Sequence, residues 1–150
     1  MARIRLTKEF KFEMAHALLG YDGPCRNVHG HSYELTVTVL GNPIKDTQNP
    51  KLGMVMDFRD LKTIVKESVV DEADHCLMLN ENVDEELVEM LRRHYAKIVL
   101  VPYQPTTENM LADFAHRIIG RLPAGVSLHS LRLRETVTSY AEWFAADQEA

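Results

Sequence analysis

The sequence has few cysteines and no long apolar run. Cys25 and Cys76 are its only cysteines, and two cysteines cannot build the disulfide framework that holds a small secreted fold together. The longest aliphatic run, Ile98 to Val101, is far too short to span a bilayer, and no apolar signal region precedes the first strand-like pattern. We therefore predict a cytoplasmic protein with two free thiols and no membrane partner.

Basic charge is also scarce. Lysine and arginine number 17 against 22 aspartates and glutamates, so the formal net charge is −5 at pH 7. A nucleic-acid-binding protein normally presents a basic face, and we therefore expect no nucleic-acid partner. The length of 150 residues suits one domain over residues 1–150, long enough to bury about 70% of the surface of the unfolded chain.

Two stretches near the N-terminus alternate between apolar and polar residues. In the first, the even positions of residues 4–16 are apolar with one lysine exception, and the row ends at His16. In the second, the odd positions of residues 29–39 form a similar row that begins with His29 and His31. Alternate side chains of a β-strand share a face, so all three histidines belong to core-facing rows. If the two strands pair as a hairpin, the three imidazoles converge.

Three imidazoles without a fourth protein ligand are typical of a catalytic zinc site, whose vacant position takes water or substrate. A His-x-His tripeptide alone is more often a pair of ordinary strand histidines. The additional presence of His16 and of Cys25, close to His29 and His31 in the sequence, favours the metal site. Zinc is the metal we expect, although iron, nickel or copper could use the same ligands.

Beyond the hairpin the apolar period becomes helical. Asp57 and Thr106 are predicted N-caps of two helices, the second ending at Gly120 or Pro123. The expected buried positions are Phe58, Leu61, Ile64, Val65 and Val69 in the first helix, and Met110, Leu111, Phe114, Ala115, Ile118 and Ile119 in the second.

Strand patterns return at Val126–Val137 and at Tyr140–Ala145. The order ββααββ predicts an α+β fold, an antiparallel sheet with helices on one face. Between the helices, residues of about 81–103 read as an insertion, with a helix over Val83–Tyr95 and a short strand over Lys97–Tyr103.

Two further sites carry candidate chemistry. Asp74 and His75 follow the first helix; together they could orient and tune a proton acceptor, or His75 could be a satisfied core residue. Because neighbouring residues of a strand or helix face different ways, both can reach one site only through a turn. Glu135 continues the apolar row of Leu131 and Leu133. A buried carboxylate needs a partner, either Arg132 or Arg134, or a ligand ring with adjacent N–H and NH₂ groups such as a pterin or guanine.

Six short motifs, in this order, resemble the 6-pyruvoyltetrahydropterin synthase and 6-carboxytetrahydropterin synthase family over about residues 4–145. They are Phe12-Glu13-Met14-Ala15-His16, Cys25-x-x-x-His29-Gly30-His31, Met56-Asp57-Phe58, Asp74-His75, Pro105-Thr106-Thr107-Glu108 and Arg134-Glu135-Thr136. The resemblance implies the tunnelling fold, in which ββααββ subunits form an oligomeric barrel, commonly a dimer of trimers, with active sites where subunits meet. A homohexamer is therefore expected here.

The resemblance also implies roles for individual residues. From its position in the first turn of a helix, Glu108 is expected to interact favourably with the helix dipole. The resemblance implies instead that Glu108 and Thr107 bind the substrate. The implied roles are zinc ligands for His16, His29 and His31, proton acceptor for Cys25, relay for Asp74 and His75, and pterin anchor for Glu135.

The implied substrate is 7,8-dihydroneopterin triphosphate. Zinc would act as a Lewis acid on its hydroxyl and carbonyl oxygens and so acidify the adjacent C–H bonds, and Cys25 would remove the proton as a thiolate. The three-residue gap between Cys25 and His29 resembles the 6-carboxytetrahydropterin synthases, which release acetaldehyde and triphosphate on the route to 7-deazaguanine and queuosine. The alternatives are a 6-pyruvoyltetrahydropterin synthase and, from another class, a non-catalytic zinc- or pterin-binding module.

Two departures from the family pattern stand out. The stretch from His75 to Pro105 is longer than is usual in the family, and Cys76 occupies a position where a second histidine often follows. Cys76 is expected to be a packing residue, with oxidation against Cys25 as the alternative.

Overall fold

Six strands form one mixed sheet in the computed structural model of the chain, which describes residues 2–149. They are β1 (Ile4–His16), β2 (His29–Gly41), β3 (Leu77–Asn80), β4 (Ile98–Val101), β5 (Val126–Thr136) and β6 (Ser139–Phe144). The order across the sheet is β4-β3-β1-β2-β5-β6. Neighbours among β1, β2, β5 and β6 pair antiparallel, whereas β3 pairs parallel with both β1 and β4.

Three helices accompany the sheet: α1 (Phe58–Val65), α2 (Glu85–His94) and α3 (Thr107–Ile119). Helix α1 is followed by a wider π-type turn, Lys66–Val70, and then by a last α-helical turn, Asp71–Ala73. Both predicted caps are confirmed, because Asp57 accepts the backbone N–H of Arg59 and Thr106 accepts that of Asn109. None of the described helices is long and apolar enough to cross a bilayer.

The predicted hairpin is present and sets the register of the site. His16 lies opposite His29, and Met14 lies opposite His31, across the β1–β2 ladder. A register shift of one residue would turn every side chain of a strand to the other face. The observed pairing therefore places the three histidines at one end of the sheet and on one face.

That face, called here the inner face, packs against α1 and α3 to form the core. On it Phe12 stacks on Tyr33 with ring centroids 5.2 Å apart, and Phe114 from α3 meets Phe12 edge-on. The opposite outer face carries polar residues such as Glu34 and Arg132 and is more exposed. Helices therefore cover only one face of the long strands, as the sequence pattern predicted.

Two predicted core positions are wrong. Phe58 and Ile119 are each 50% exposed, and they are the first residue of α1 and the last of α3. The remaining predicted positions of both helices are buried.

The α+β class and the ββααββ framework are confirmed, with one addition. The predicted sheet is antiparallel, whereas the observed sheet also contains the short parallel strands β3 and β4. The predicted helix and strand within about residues 81–103 are present as α2 and β4. Whether that stretch is an insertion, and whether subunits close into a barrel, stay predictions.

Candidate metal centre and active site

The three histidines converge at the end of the β1–β2 hairpin. One nitrogen of each of His16, His29 and His31 lies within 4.8 Å of the other two. His16 is almost fully buried at 2% exposure, and the other two are partly buried. Strand pairing, rather than a flexible loop, holds His16 opposite His29. The cluster is thus a rigid group of three potential metal ligands.

Backbone carbonyls orient two of the rings. The Nδ1 atom of His16 lies 2.7 Å from the carbonyl oxygen of Pro105, and Nδ1 of His29 lies 2.7 Å from that of Asn27. A carbonyl oxygen only accepts hydrogen bonds, so each Nδ1 must carry the proton and donate it. This leaves both Nε2 atoms with a free lone pair, which is the tautomer that a metal-binding histidine uses.

The free lone pairs face one another. Nε2 of His16 is 3.1 Å from Nε2 of His29, although neither has a proton to donate in this tautomer. Nε2 of His31 is buried without a hydrogen-bond partner in the described part of the chain. A cation between the three nitrogens would satisfy all of them at once. On a tetrahedral zinc ion with bonds of about 2.0–2.1 Å, ligand atoms lie roughly 3.3 Å apart, so the residues fit the metal.

Burial favours the neutral form of these imidazoles. It lowers the pKa of His16, an effect that the Pro105 carbonyl and the Glu135 carboxylate partly offset. Burial also lowers the pKa of His31, and Glu135 again opposes the effect. Neutral imidazoles are the forms that bind metal.

Glu135 adds a carboxylate to this cluster. One of its oxygens lies 3.6 Å from Nε2 of His16 and 3.5 Å from Nε2 of His31. The β5–β6 pairing shifts register between Arg134 and Thr136, so Glu135 sits on a bulge. Glu135 keeps the inward direction of Leu131 and Leu133, the alternate residues before it, and faces the histidines rather than a neighbouring arginine.

The neighbouring arginines are engaged elsewhere. Arg132 and Arg134 both place their guanidinium groups over the ring of Tyr140, at 4.5 and 4.9 Å from its centroid. Arg134 also lies 3.8 Å from a carboxylate oxygen of Glu34. No arginine pairs with Glu135 among the described residues, so the ligand interpretation of Glu135 has the better support.

The three proposed substrate-binding residues line one cavity. Thr107 and Glu108, in the first turn of α3, face Glu135 across a small cavity that β6 completes. Its lining residues are Thr107, Glu108, Glu135, Ser139, Tyr140 and Ala141. The hydroxyl of Thr107 is buried without a hydrogen-bond partner in the described residues. Glu135 therefore stands between this cavity and the histidines.

Cys25 lies in the connection between β1 and β2, within a short 3₁₀ turn at Pro24–Arg26. Its side chain is partly exposed and free. The connection begins after His16 and ends before His29, so Cys25 belongs to the end of the sheet that carries the histidines. This is the location that a base serving the metal site requires.

Asp74 and His75 lie on the other face of the sheet. The His75 N–H donates to the Glu13 carbonyl, and the Glu13 N–H donates to the Asp74 carboxylate. Glu13 points outward from β1, and His75 lines a cavity with Glu13 and Ser32 that also reaches Gly30 and His31. The His75 side chain is 76% exposed, and no hydrogen bond or ion pair joins it or Asp74 to the three histidines within the described residues.

The predicted turn does bring Asp74 and His75 together. His75 has a left-handed backbone (φ 63°), and its Nδ1 lies 3.0 Å from an Asp74 carboxylate oxygen. The Glu13 N–H and, secondarily, His75 lower the pKa of Asp74. An ionised Asp74 can thus orient the imidazole and hold it in one tautomer.

Cys76 is a packing residue. It is 3% exposed, lies in the core and is a free thiol, as is Cys25. Burial raises the pKa of Cys76 to about 12, so this thiol is protonated at neutral pH. The prediction of two free thiols is confirmed, and the alternative of a Cys25–Cys76 disulfide is not.

Sequence reasoning did not identify every group at the site. Tyr33 belongs to the same row as His31 and was expected only as a core residue, yet its ring lies edge-on to His16 and His31. Its hydroxyl is buried, and burial together with the Glu135 charge raises its pKa. The carbonyls of Pro105 and Asn27 are backbone groups, and no side-chain pattern could have indicated them.

Comparison with known proteins places this site in context. A family model described as 6-pyruvoyl tetrahydropterin synthase matches residues 5–146. The 6-carboxy-5,6,7,8-tetrahydropterin synthase of Haemophilus influenzae is 38% identical over 93% of this chain and 97% of its own. The protein of the same name from Synechocystis is 36% identical, over 92% of this chain and 91% of its own.

Solved structures share the fold at lower identity. An uncharacterized protein from Wolinella succinogenes superposes with a TM-score of 0.74 at 19% identity, covering 97% of this chain and 99% of its own. The 6-pyruvoyl tetrahydropterin synthase of Caenorhabditis elegans gives a TM-score of 0.68 at 23% identity and covers 97% of both chains. The tunnelling-fold subunit expected from the motifs is therefore confirmed.

Proposed function

The chain belongs to the 6-pyruvoyl tetrahydropterin synthase family and is a pterin synthase, and we propose that it is a zinc-dependent 6-carboxy-5,6,7,8-tetrahydropterin synthase. Its substrate would be 7,8-dihydroneopterin triphosphate, and its products 6-carboxytetrahydropterin, acetaldehyde and triphosphate, on the route to 7-deazaguanine and queuosine. The observation that carries this proposal is the convergence of His16, His29 and His31 beside a cavity lined by Glu135.

Each site residue has a role that its surroundings support. Glu135 would accept the adjacent N–H and NH₂ groups of the pterin ring, and Thr107 would offer its unpaired hydroxyl to the same ring. When bound by the three histidines, zinc would act as a Lewis acid on the side-chain oxygens of the substrate. Cys25 would remove the proton that this polarisation acidifies, and a positioned base typically contributes about 10²- to 10⁴-fold.

The proton relay points to a second subunit. Asp74 and His75 lie on the outer face of the sheet, with side chains 41% and 76% exposed. We propose that they serve the metal site of a neighbouring copy within a homohexamer, a dimer of trimers. A surface pair with a lowered Asp74 pKa and no partner on its own subunit's metal site is suited to that use.

The gap between Cys25 and His29 favours the carboxy product, as do the names of the Haemophilus and Synechocystis relatives. A 6-pyruvoyl synthase would eliminate triphosphate and keep all three carbons of the substituent at C6 of the pterin. A location in the cytoplasm accords with the proposal, because a thiol base must stay reduced and both cysteines are free.

The experiment that tests this proposal is mass spectrometry of the products formed from 7,8-dihydroneopterin triphosphate, with acetaldehyde assayed in parallel. The zinc-loaded protein should yield 6-carboxytetrahydropterin and acetaldehyde, and the chelator-treated protein should yield neither. A 6-pyruvoyl product without acetaldehyde would instead identify a pyruvoyl synthase. Absence of reaction with zinc bound would indicate a binding module.

Mixed oligomers test the shared site. His29→Ala and Asp74→Asn subunits, co-expressed with different tags, should each be inactive alone. If His29 and Asp74 of one site come from different subunits, about a quarter of the sites in a random mixture contain both intact groups. Purified mixed oligomers should then recover activity. Activity no higher than that of either variant alone would indicate that His29 and Asp74 of one site come from the same subunit.

A further inference from the structure

Glu135 lies where its carboxylate could bind a metal ion as well as a pterin ring. Its nearest oxygen lies 3.6 Å from Nε2 of His16 and 3.5 Å from Nε2 of His31, and those of His16 and His29 are 3.1 Å apart. Ligand atoms on a tetrahedral zinc ion lie roughly 3.3 Å from one another. The carboxylate oxygen is therefore spaced from Nε2 of His16 and from Nε2 of His31 as a neighbouring metal ligand would be.

Charge supports the same assignment. The lone pairs of His16 and His29 face inward because both Nδ1 protons are donated to backbone carbonyls. Neither Nε2 of His16 nor that of His29 can donate a hydrogen bond to Glu135 in that tautomer. A carboxylate directed at acceptor atoms is repelled unless a cation lies between them. Toward the bare Nε2 of His16, 3.6 Å away, Glu135 is thus placed as a metal ligand and not as a hydrogen-bond acceptor, whereas no carbonyl among the described residues fixes the tautomer of His31.

The surrounding structure holds Glu135 in this place. Its place in the inward row of Leu131 and Leu133 keeps its side chain on the inner face, at the point where the β5–β6 register shifts. The buried hydroxyl of Tyr33 makes no hydrogen bond of ordinary geometry within the described residues, yet it lies close enough to Glu135 to feel its charge. A small adjustment would let Tyr33 donate to the carboxylate and orient it.

We propose that Glu135 is the fourth metal ligand of the ligand-free enzyme and leaves the metal when a pterin ring binds. The second half of this inference rests on the proposed function. Glu135 lines the cavity beside Thr107 as well as facing the histidines. A bidentate pairing with the N–H and NH₂ groups of a pterin uses both carboxylate oxygens. A carboxylate that turns both oxygens toward a ring in the cavity turns them away from the histidine nitrogens, so the ring would open a coordination position as it binds.

The exchange has a thermodynamic consequence. Two ligands that compete for one residue weaken each other's binding, and the coupling is reciprocal. The simplest probe is pterin itself, because it carries the recognised ring edge but no substituent that could reach the metal. Zinc should therefore weaken the binding of pterin to the wild-type protein, and pterin should weaken the binding of zinc.

The first measurement is zinc affinity, determined by competition with a chromophoric chelator. Glu135→Gln keeps the side-chain shape but makes a poor ligand, and we expect a loss of at least about tenfold in affinity. Glu108→Gln is the matched control. It removes the other carboxylate of the same cavity, so it measures how much of any loss in zinc affinity comes only from removing a negative charge nearby. Equal zinc affinities of wild type and Glu135→Gln would overturn the proposal.

The second measurement is made first on the wild-type protein, so its result does not depend on whether a variant folds. The visible spectrum of the cobalt-substituted wild-type protein reports its ligand set, and it should change when pterin is added. Glu135→Gln should have a different spectrum before pterin is added. An unchanged wild-type spectrum with pterin bound, detected by pterin fluorescence, would overturn the exchange.

These readouts separate the inference from the proposed function. If Glu135→Gln loses pterin binding but keeps zinc affinity and the cobalt spectrum, Glu135 is an anchor only and the inference fails. If zinc affinity falls but neither protein binds pterin, Glu135 is a metal ligand and the proposed substrate class is wrong.

Discussion

The two faces of the β1–β2 hairpin divide the candidate chemistry between them. On the inner face, His16 is 2% exposed and its ring is fixed by a backbone carbonyl. On the outer face, His75 is 76% exposed and contacts Asp74. A metal site needs several donors at fixed spacing, and one packed hairpin supplies them. A proton relay needs access, and an exposed pair can meet a group that another surface brings. This difference underlies the proposal that one subunit supplies all the metal ligands whereas proton transfer needs two subunits.

The largest expected effect tests the inner face directly. His29→Ala removes one of three proposed ligands whose positions are fixed by strand pairing, so the protein should lose most of its zinc while keeping its circular dichroism spectrum. His94→Ala changes an exposed histidine at the end of α2 and is the control. Elemental analysis after dialysis measures the metal. Stoichiometric zinc in the His29 variant would contradict the ligand assignment.

Removing the base should separate chemistry from metal binding. Cys25→Ala should lower turnover by about 10²- to 10⁴-fold and leave zinc content and folding unchanged, because Cys25 lies in the connection after β1 rather than in the core. The Cys76→Ala variant is the matched comparison, since it removes a buried thiol and should cost stability instead. Wild-type turnover by the Cys25 variant would remove this residue from the mechanism.

Neighbouring residues of β2 provide a stability test of the two faces. Leu35 is fully buried on the inner face, and truncating such a leucine to alanine costs about 2–5 kcal/mol. Thr36 points to the outer face, where a substitution usually changes stability by about 0.5 kcal/mol or less. Urea unfolding of Leu35→Ala and Thr36→Ala measures both. Equal costs would mean that the outer face is packed against something in solution.

The smallest expected effect concerns the cavity beside the metal site. Thr107→Val replaces a buried hydroxyl that has no partner among the described residues, so the free protein should be as stable as wild type or slightly more stable. Pterin binding should weaken by about 0.5–1.5 kcal/mol if the hydroxyl bonds the ring. Thermal unfolding and pterin fluorescence titration give the two values. Unchanged pterin affinity would exclude Thr107 from ring recognition.

Much of the site was predictable because short-range patterns determine it. Alternation along the strands indicated that His16, His29 and His31 share a face, and the hairpin register confirmed their convergence. The helix caps at Asp57 and Thr106 followed from local hydrogen bonding. In contrast, the parallel strands β3 and β4 were not predicted as part of the sheet, because four-residue apolar runs do not reveal their partners.

The sequence by itself determined the donor atoms: three imidazoles, a nearby thiol and a carboxylate in an apolar row, all within motifs of one family. Only the tertiary structure decided where those atoms point. The Pro105 carbonyl that selects the His16 tautomer and the position of Asp74 and His75 beside Glu13 arise from contacts between segments distant in the sequence. The alternation of side chains along a strand is set by a few neighbouring residues. The final orientation of a side chain also depends on which distant segments pack around it, and a local reading of the sequence does not reveal those segments.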